Sequence, residues 1–353
     1  MKERASSSMG HRIIFLDALR FIAAAAVVFQ HVIELEGPWG KAIVATLSPG
    51  VFGVVLFFII SGFVIPLAAK NHLNLRKFII RRMFRIYPLV IVTFLMLSLI
   101  IYGNFFPTAY YGFIPTIFDW FANILLIQDY VGANTLWGVT WTLNLEVAWY
   151  TLFALSMILI GNRFDKSLSI YTPILFLGLV FLSLSMEQRL PLGRLGMIYA
   201  AILGCRIYRN QTGVVSDRRI IFDILIFICV MAVSNIVCFG YFKHPNITMN
   251  QALYPWIAAP ILFSIVALLP TVRNLCLVNS TLIGWLGKIS FSTYLLHPFA
   301  IQFAENFVPA KGTFILSVVL TLLLSALGFY LVELPGQRLG RWVEDSLGKF
   351  RGH

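Results

Sequence analysis

The chain has 353 residues, of which 59% are apolar and only 12% charged, with a formal net charge of +12. Soluble domains run near 45 to 50% apolar and about 25% charged, so this composition excludes a water-soluble globule, a disordered chain, collagen and a disulfide-rich module. An all-α, polytopic membrane helix bundle remains, its apolar surface turned to lipid.

In chain order, apolar runs cover residues 13–33, 49–69, 87–103, 137–160, 171–186, 190–207, 220–242, 251–270, 282–303 and 312–332. Most can cross about 30 Å of hydrocarbon as helix, which predicts about ten spans. Lys2, Arg4 and Arg12 before the first run resemble a signal peptide, but Arg20 inside it and nine spans behind it argue for a retained helix. Residues 114–130 are apolar yet carry Pro115, Asp119, Asn123, Gln128 and Asp129. If this segment does not cross, the loop Lys and Arg divide 20 to 5 in favour of the N-terminal side; if it crosses, they divide 13 to 12. Positive loops stay cytoplasmic, so the segment is predicted to be re-entrant or interfacial, with both termini inside. The +12 is thereby mainly topology and requires no nucleic-acid partner. Cys205, Cys229, Cys238 and Cys276 have no CxxC or metal-ligand spacing and read as small core residues. No metal is expected.

A charge near the bilayer centre costs a few kcal/mol, so each ionisable residue inside a span needs a partner or a task. The first span holds Asp17, Arg20 and His31, with Glu34 just beyond. Arg20 and His31 are eleven steps apart, about three turns plus 20°, so they share one face roughly 16 Å apart along the axis. Asp17 and Glu34 extend the same stripe by a turn at either end. The run Trp141-Thr142-Leu143-Asn144-Leu145-Glu146 brings a carboxylate into the fourth span, to the depth expected of His31 for a helix starting near residue 137. Its alternative role is a structural clamp between helices. Ser290 to His297 places Ser292, Tyr294 and a second histidine in the ninth span. Residues 70–86 link the second and third spans and carry Arg76, Lys77, Arg81, Arg82 and Arg85, a cluster able to hold phosphates, whether of a ligand or of anionic lipid headgroups. Trp39, Tyr110, Tyr111 and Trp120 on the outer loops suit either an interfacial belt or stacking on sugars.

Taken in order, these motifs resemble the acyltransferase 3 family of integral membrane O-acyltransferases. Leu16 to Arg20 with His31 is similar to its first-helix pattern of a basic residue, ten others and a histidine. Phe57 to Phe63 resembles FFxxSGF, including Ser61; Arg81 to Pro88 resembles RRxxRxYP; Trp141 to Glu146 resembles WSLxxE. Ser290 to His297 resembles SxSxYLxH, and Val332-Glu333-Leu334-Pro335 the terminal VExP. Val147 stands where the family often has a second acid, leaving Glu146 as that motif's single carboxylate.

The resemblance implies one membrane-embedded acyltransferase domain over residues 1–353, with short cytoplasmic tails at 1–12 and 333–353, in the inner membrane. It implies transfer of an acyl group, usually acetyl, from cytoplasmic acyl-CoA to a hydroxyl of a cell-surface or lipid-linked sugar, as in polysaccharide O-acetylation. Arg20, Arg81, Arg82, Arg85 and Lys288 are the expected cations for the CoA phosphates. His31 is the expected general base, since imidazole titrates near neutrality. Glu146 or Glu34 would orient it, Glu146 being preferred because it belongs to a motif. Asp17, Ser61, Trp141, Asn144, Ser292, Tyr294, His297 and Glu333 are the supporting set. Direct transfer competes with an acyl-enzyme on His31, Ser61 or Ser292. A proton-coupled transporter is the alternative class, because Arg, His and Glu inside helices also serve transport, although no repeated halves are evident. Membrane lipid is the surrounding partner; a homo-oligomer or a glycan-assembly partner is compatible with the sequence.

Overall fold

The computed structural model describes residues 14–69, 74–103, 114–161, 164–243, 247–308 and 310–349, and every regular element among them is helical. The first, α1 (Ile14–Ile33), is followed by the short α2 (Gly37–Leu47), α3 (Pro49–Ala69) and α4 (Leu75–Tyr102). Two small helices, α5 (Ile117–Ile124) and α6 (Gln128–Val131), precede a 3₁₀ turn at Gly138–Thr140 and α7 (Trp141–Leu159). Next come α8 (Phe164–Ser185), α9 (Leu192–Gln211), α10 (Asp217–Asn235) with a π turn at Ile236–Tyr241, and α11 (Met249–Leu268). The chain ends with α12 (Pro270–Arg273), α13 (Thr281–Lys288), α14 (Ser290–Phe307), α15 (Ala310–Gly328), a π turn at Phe329–Glu333, and α16 (Leu334–Lys349).

Each of the ten expected spans corresponds to a helix, and eight helices are long and apolar enough to cross a membrane. The other two expected spans are more polar. Helix α9 carries Arg194, Arg206 and Arg209, and α14 carries His297, Gln302 and Glu305. The ninth span is also broken at Ile289 into α13 and α14. The basic stretch before the third span is not a separate linker from residue 75 onward, because Asn74 caps Lys77 and α4 runs unbroken through Tyr87 and Pro88. Residues 1–12, 70–73, Tyr110 and Tyr111 lie outside the described residues.

Helix α3 is the hub. It packs against α1, α9 and α11, and the span containing it buries 67% of its apolar window, against 22% for the peripheral α8. Lipid is as apolar as leucine, so close backbone approach has to supply the contact that water exclusion supplies in soluble proteins. Gly62 and Gly204 provide it: a Cβ on Gly62 would collide with the Ala201 carbonyl, and one on Gly204 with the Ile59 carbonyl. The Cys205 thiol then donates to the Gly62 carbonyl at 3.1 Å. This is the physical reason for a glycine after Ser61. Gly287 on α13 likewise lets that helix press on the α1 backbone at Asp17.

Residues 114–140 contain no helix long enough to cross. Helix α5 has 8 residues, which spans only about 12 Å. Its polar residues are loop staples: Asp119 accepts from the Thr116 amide (2.9 Å) and hydroxyl (2.6 Å) and from the Asn134 amide (2.8 Å). Asn123 donates to the carbonyls of Asp119 and Asn134 and accepts from the Leu136 amide. The Thr116 hydroxyl, with its amide, holds the Asp119 carboxyl below the usual carboxylate range. Arg194 of α9 ties the segment down through Asp129 at 2.7 Å.

Residues 334–349 are not a free tail. Helix α16 docks on α4, Gly336 and Gly340 fitting against Pro88 and Phe84, and buried Glu344 accepts from Arg81 at 2.6 and 2.9 Å and pairs with Lys77 at 3.2 Å. A second ionic cluster joins three helices. Buried Arg206 on α9 bridges Asp165 on α8 (3.0 Å) and Asp223 on α10 (2.9 Å), flanked by Arg209 and Arg219.

Candidate active site

Two adjoining cavities hold most of the predicted site residues, and α1 contributes to both: Arg20 lines one and His31 the other. The three-turn spacing puts the two residues in different chemical environments along one helix.

The first cavity is a narrow cationic cleft of about 80 Å³. Its wall includes Arg20, Ser61, Arg82, Arg85, Glu146 and Tyr150. Arg20 donates to buried Asp17 at 3.1 Å, one turn earlier on the same helix. Arg82 lies over the rings of Tyr150 (5.1 Å) and Phe78 (5.5 Å), and its buried Nε has no hydrogen-bond partner among the described residues. The Tyr150 hydroxyl donates to Glu146, one turn back on α7. Arg85 is within electrostatic reach of Glu146, Glu333 and Asp17. Three guanidiniums thus face one cleft with a carboxylate on its far wall.

Two expected cations are elsewhere. Arg81 points to α16, where Glu344 takes its charge, and Lys288 is exposed at the end of α13, outside the cleft lining. Ser292 is fully buried and donates to Glu333 at 2.9 Å; Gln337 donates to the other Glu333 oxygen at 3.1 Å. That group knits α14 to the C-terminal helix behind the arginines. Asn144 is buried, and its amide meets no hydrogen-bond partner among the described residues.

The second cavity is wider, about 720 Å³, and holds His31, Glu34, Trp137, Trp141, Tyr294 and His297. The last turn of α1 carries Gln30 and His31, and Glu34 follows directly after its end. The His31 Nδ1 contacts a Glu34 carboxylate oxygen at 3.3 Å; an ionised carboxylate only accepts, so the hydrogen of this contact belongs to Nδ1. Gln30 donates to the other Glu34 oxygen at 3.0 Å and accepts from the Gly50 amide at 2.7 Å, which fixes the carboxylate in turn. His297 stacks on His31, ring centres 5.3 Å apart and planes 20° apart. It is fully buried, and its Nδ1–H donates to the Tyr294 carbonyl at 2.8 Å. Two imidazoles therefore lie one against the other, each with its Nδ1 turned to an acceptor.

The carboxylate beside His31 is thus Glu34, and the preference for Glu146 in that place is corrected. Glu146 sits in the arginine cleft, because α7 starts only at Trp141 and turns residue 146 toward Arg82 and Arg85. Sequence reasoning also missed Gln30, the hydrogen-bonded support of Glu34, and Trp137. Trp137 donates to the Leu295 carbonyl at 2.9 Å, stacks on Phe299 with 4.0 Å between centroids, and forms a rigid wall of the wider cavity. Arg194 lies over the Trp141 ring at 5.9 Å.

The two cavities meet at Val54 and Tyr294, which line both. The Tyr294 hydroxyl donates to the Val139 carbonyl at 2.9 Å and lies 2.7 Å from the Thr142 hydroxyl.

Comparison with known proteins adds a family. Residues 13–334 match the acyltransferase 3 model, described as an acyltransferase domain. Among curated relatives, acyltransferase MdmB of Streptomyces mycarofaciens is 31% identical over 160 residues, 41% of this chain and 39% of that protein. Nodulation protein 10 of Rhizobium leguminosarum bv. viciae is 29% identical over 192 residues, 48% of this chain and 51% of its own length. The matched part thus spans between two-fifths and half of these relatives. No solved structure matches the chain at a significant level.

Proposed function

This chain belongs to the acyltransferase 3 family, and from that premise we propose that it moves an acyl group, acetyl in the simplest case, from cytoplasmic acyl-CoA to a hydroxyl of a cell-surface or lipid-linked sugar. The observation that carries the proposal is the pair of cavities, one lined by guanidiniums and the other by a carboxylate-held imidazole, that share Tyr294 in their linings. The excess of Lys and Arg on the side of the arginine cleft supports a cytoplasmic opening in the inner membrane.

In this reading Arg20, Arg82 and Arg85 hold the phosphates of the coenzyme, for which planar guanidinium donors are well matched. Glu146 and Tyr150 keep the like-charged arginines apart and aimed into the cleft. The uncharged pantetheine arm passes between helices toward Tyr294 and presents the thioester to the imidazole cavity. The acceptor hydroxyl enters the wider cavity beside Trp137 and Trp141, whose faces suit the apolar side of a sugar ring. The His31 Nε2 takes the hydroxyl proton while the oxygen attacks the thioester carbon, and Glu34 stabilises the imidazolium that forms. As the C–S bond breaks, His31 returns that proton to the coenzyme thiolate. The sugar leaves as an ester and the coenzyme as a free thiol. Buried Ser292 already donates to Glu333, which favours direct transfer over an acyl-serine at that position.

Purified protein supplied with acetyl-CoA is expected to release free CoA thiol. Arg85→Gln is expected to raise the KM for acetyl-CoA about tenfold or more, the worth of one charge-assisted phosphate contact, with kcat little changed. An unchanged KM in Arg85→Gln, or solute flux across vesicles without coenzyme consumption, would contradict the proposal.

A further inference from the structure

We propose that Tyr294 is a catalytic hydrogen-bond donor, whose phenol O–H turns from the Val139 carbonyl to the thioester carbonyl oxygen and holds the negative charge that develops there. The inference rests on the acyl-transfer reading above and extends it to a residue for which that reading gives only a position.

Position comes first. Among the described residues only Val54 and Tyr294 line both cavities, and Val54 has no polar side-chain atom. A thioester delivered from the arginine side and a hydroxyl activated by His31 can meet only near this junction. The Tyr294 ring lies 6.3 Å from His297, which lies 5.3 Å from His31, so phenol, platform imidazole and base imidazole follow one another across the site. Tyr294 is almost fully buried, with the Phe57 ring edge-on at 5.8 Å, so the donor is held in place before any ligand arrives. A preorganised donor in a dry site stabilises developing charge far better than water does.

Availability of the proton comes second. The Val139 carbonyl lies within hydrogen-bond distance of two hydroxyls, Tyr294 at 2.9 Å and Thr142 at 3.1 Å, and these lie 2.7 Å from each other, so two protons serve three contacts. Thr142 alone satisfies that carbonyl. The Tyr294 proton can therefore swing to a ligand without leaving a buried acceptor unpaired, which removes the usual cost of such a switch. The other donor at this wall, the Trp137 indole N–H, is already committed to the Leu295 carbonyl.

The step balances. The acceptor oxygen bonds to the thioester carbon as its proton passes to the His31 Nε2. The carbonyl π pair moves onto oxygen, where the Tyr294 O–H binds it. Collapse restores the C=O bond, expels the thiolate and releases the phenol, and His31 protonates the thiolate.

The test uses the full chain in lipid nanodiscs, with acetyl-CoA as donor, water and methyl glucoside as acceptors, and release of free thiol as the readout. Tyr294→Phe is expected to lower kcat about 10²-fold to 10³-fold, the loss typical of one oxyanion donor, with the KM for acetyl-CoA held within about twofold. Thr142→Val, which leaves Tyr294 as the sole donor to Val139, is expected to lower kcat by a smaller factor and to respond in the same direction. Tyr294→Phe within about threefold of wild-type kcat, beside an inactive His31→Ala, overturns the role of Tyr294 and leaves the acyl-transfer reading standing. A raised KM with unchanged kcat overturns it as well, since Tyr294 is then only a wall. Wild-type protein that releases no thiol removes both the reading and the inference.

Discussion

His31→Ala is expected to abolish acyl transfer, lowering kcat by about 10³-fold or more, while the variant still inserts and folds. The magnitude follows from removing a general base, worth about 10²-fold to 10⁴-fold, at a hydroxyl that is a poor nucleophile without one. The fold survives because His31 is a partly exposed residue on the last turn of α1, its side chain 41% exposed, and its loss leaves Glu34 still bonded to Gln30. Glu34→Gln is the companion variant. It keeps the size and a hydrogen bond to the ring but withdraws the charge that stabilises the imidazolium, so kcat falls by less than in His31→Ala with the donor KM unchanged. The two losses should not add when combined, since both act through one imidazole ring. Transfer retained in His31→Ala at normal expression would remove the base from the account.

The second large effect is on stability. Arg206→Ala is expected to cost about 3–5 kcal/mol, because it leaves the buried carboxylates of Asp165 and Asp223 without their central cation. Arg209 and Arg219 flank the pair and recover part of the loss, which places the expected value at the lower end of that range. None of these residues lines either cavity, so the specific activity of the molecules that remain folded should be close to wild type. Thermal unfolding in detergent, read alongside thiol release per folded molecule, separates the two quantities. A triple change, Asp165→Asn with Arg206→Met and Asp223→Asn, is expected to recover part of the stability, since it removes the buried carboxylates together with their central cation and leaves only the flanking Arg209 and Arg219 charged. An unaltered unfolding midpoint in Arg206→Ala would show the cluster to be energetically idle.

Much of the architecture was legible because lipid imposes harsh rules. Runs of apolar residues had to be helices, and an ionisable residue inside one had to have company. Arg20 and His31 were placed on one face by arithmetic alone, and they line the two halves of the site. Glu34 was equally visible as the i+3 neighbour of His31, yet Glu146 was preferred because it belongs to a motif and was expected at the same depth. Depth along an axis does not fix azimuth. The helix start shifted from 137 to 141 by a 3₁₀ turn was enough to turn residue 146 to the arginines.

Long-range pairings were the other loss. Arg81 and Arg82 each lie within about 60° of Arg85 around the helix, and what removes Arg81 from the cleft is Glu344, 263 residues away, on a segment that reads as a polar tail. Helix α16 is nonetheless written in its residues, with apolar positions spaced for one face and glycines where it meets α4. The bridge through Arg206 needs three helices to be correctly packed before it exists, and no local pattern announces that. Residues 114–130 show the opposite case. Asp119 and Asn123 made the segment awkward as a span, and the structure shows the same residues closing a loop.

The account stands on coenzyme and base meeting across Tyr294, and cryo-electron microscopy of the full chain with a thioether analogue of acetyl-CoA tests this directly. The phosphates are expected beside Arg82 and Arg85, with the acyl carbon analogue at the junction, near enough to the His31 Nε2 for an intervening hydroxyl oxygen to sit about 3 to 3.5 Å from the reacting carbon. Phosphates bound away from the arginine cleft, or an acyl group lying on the far side of Tyr294 with no opening to the imidazole cavity, would contradict it.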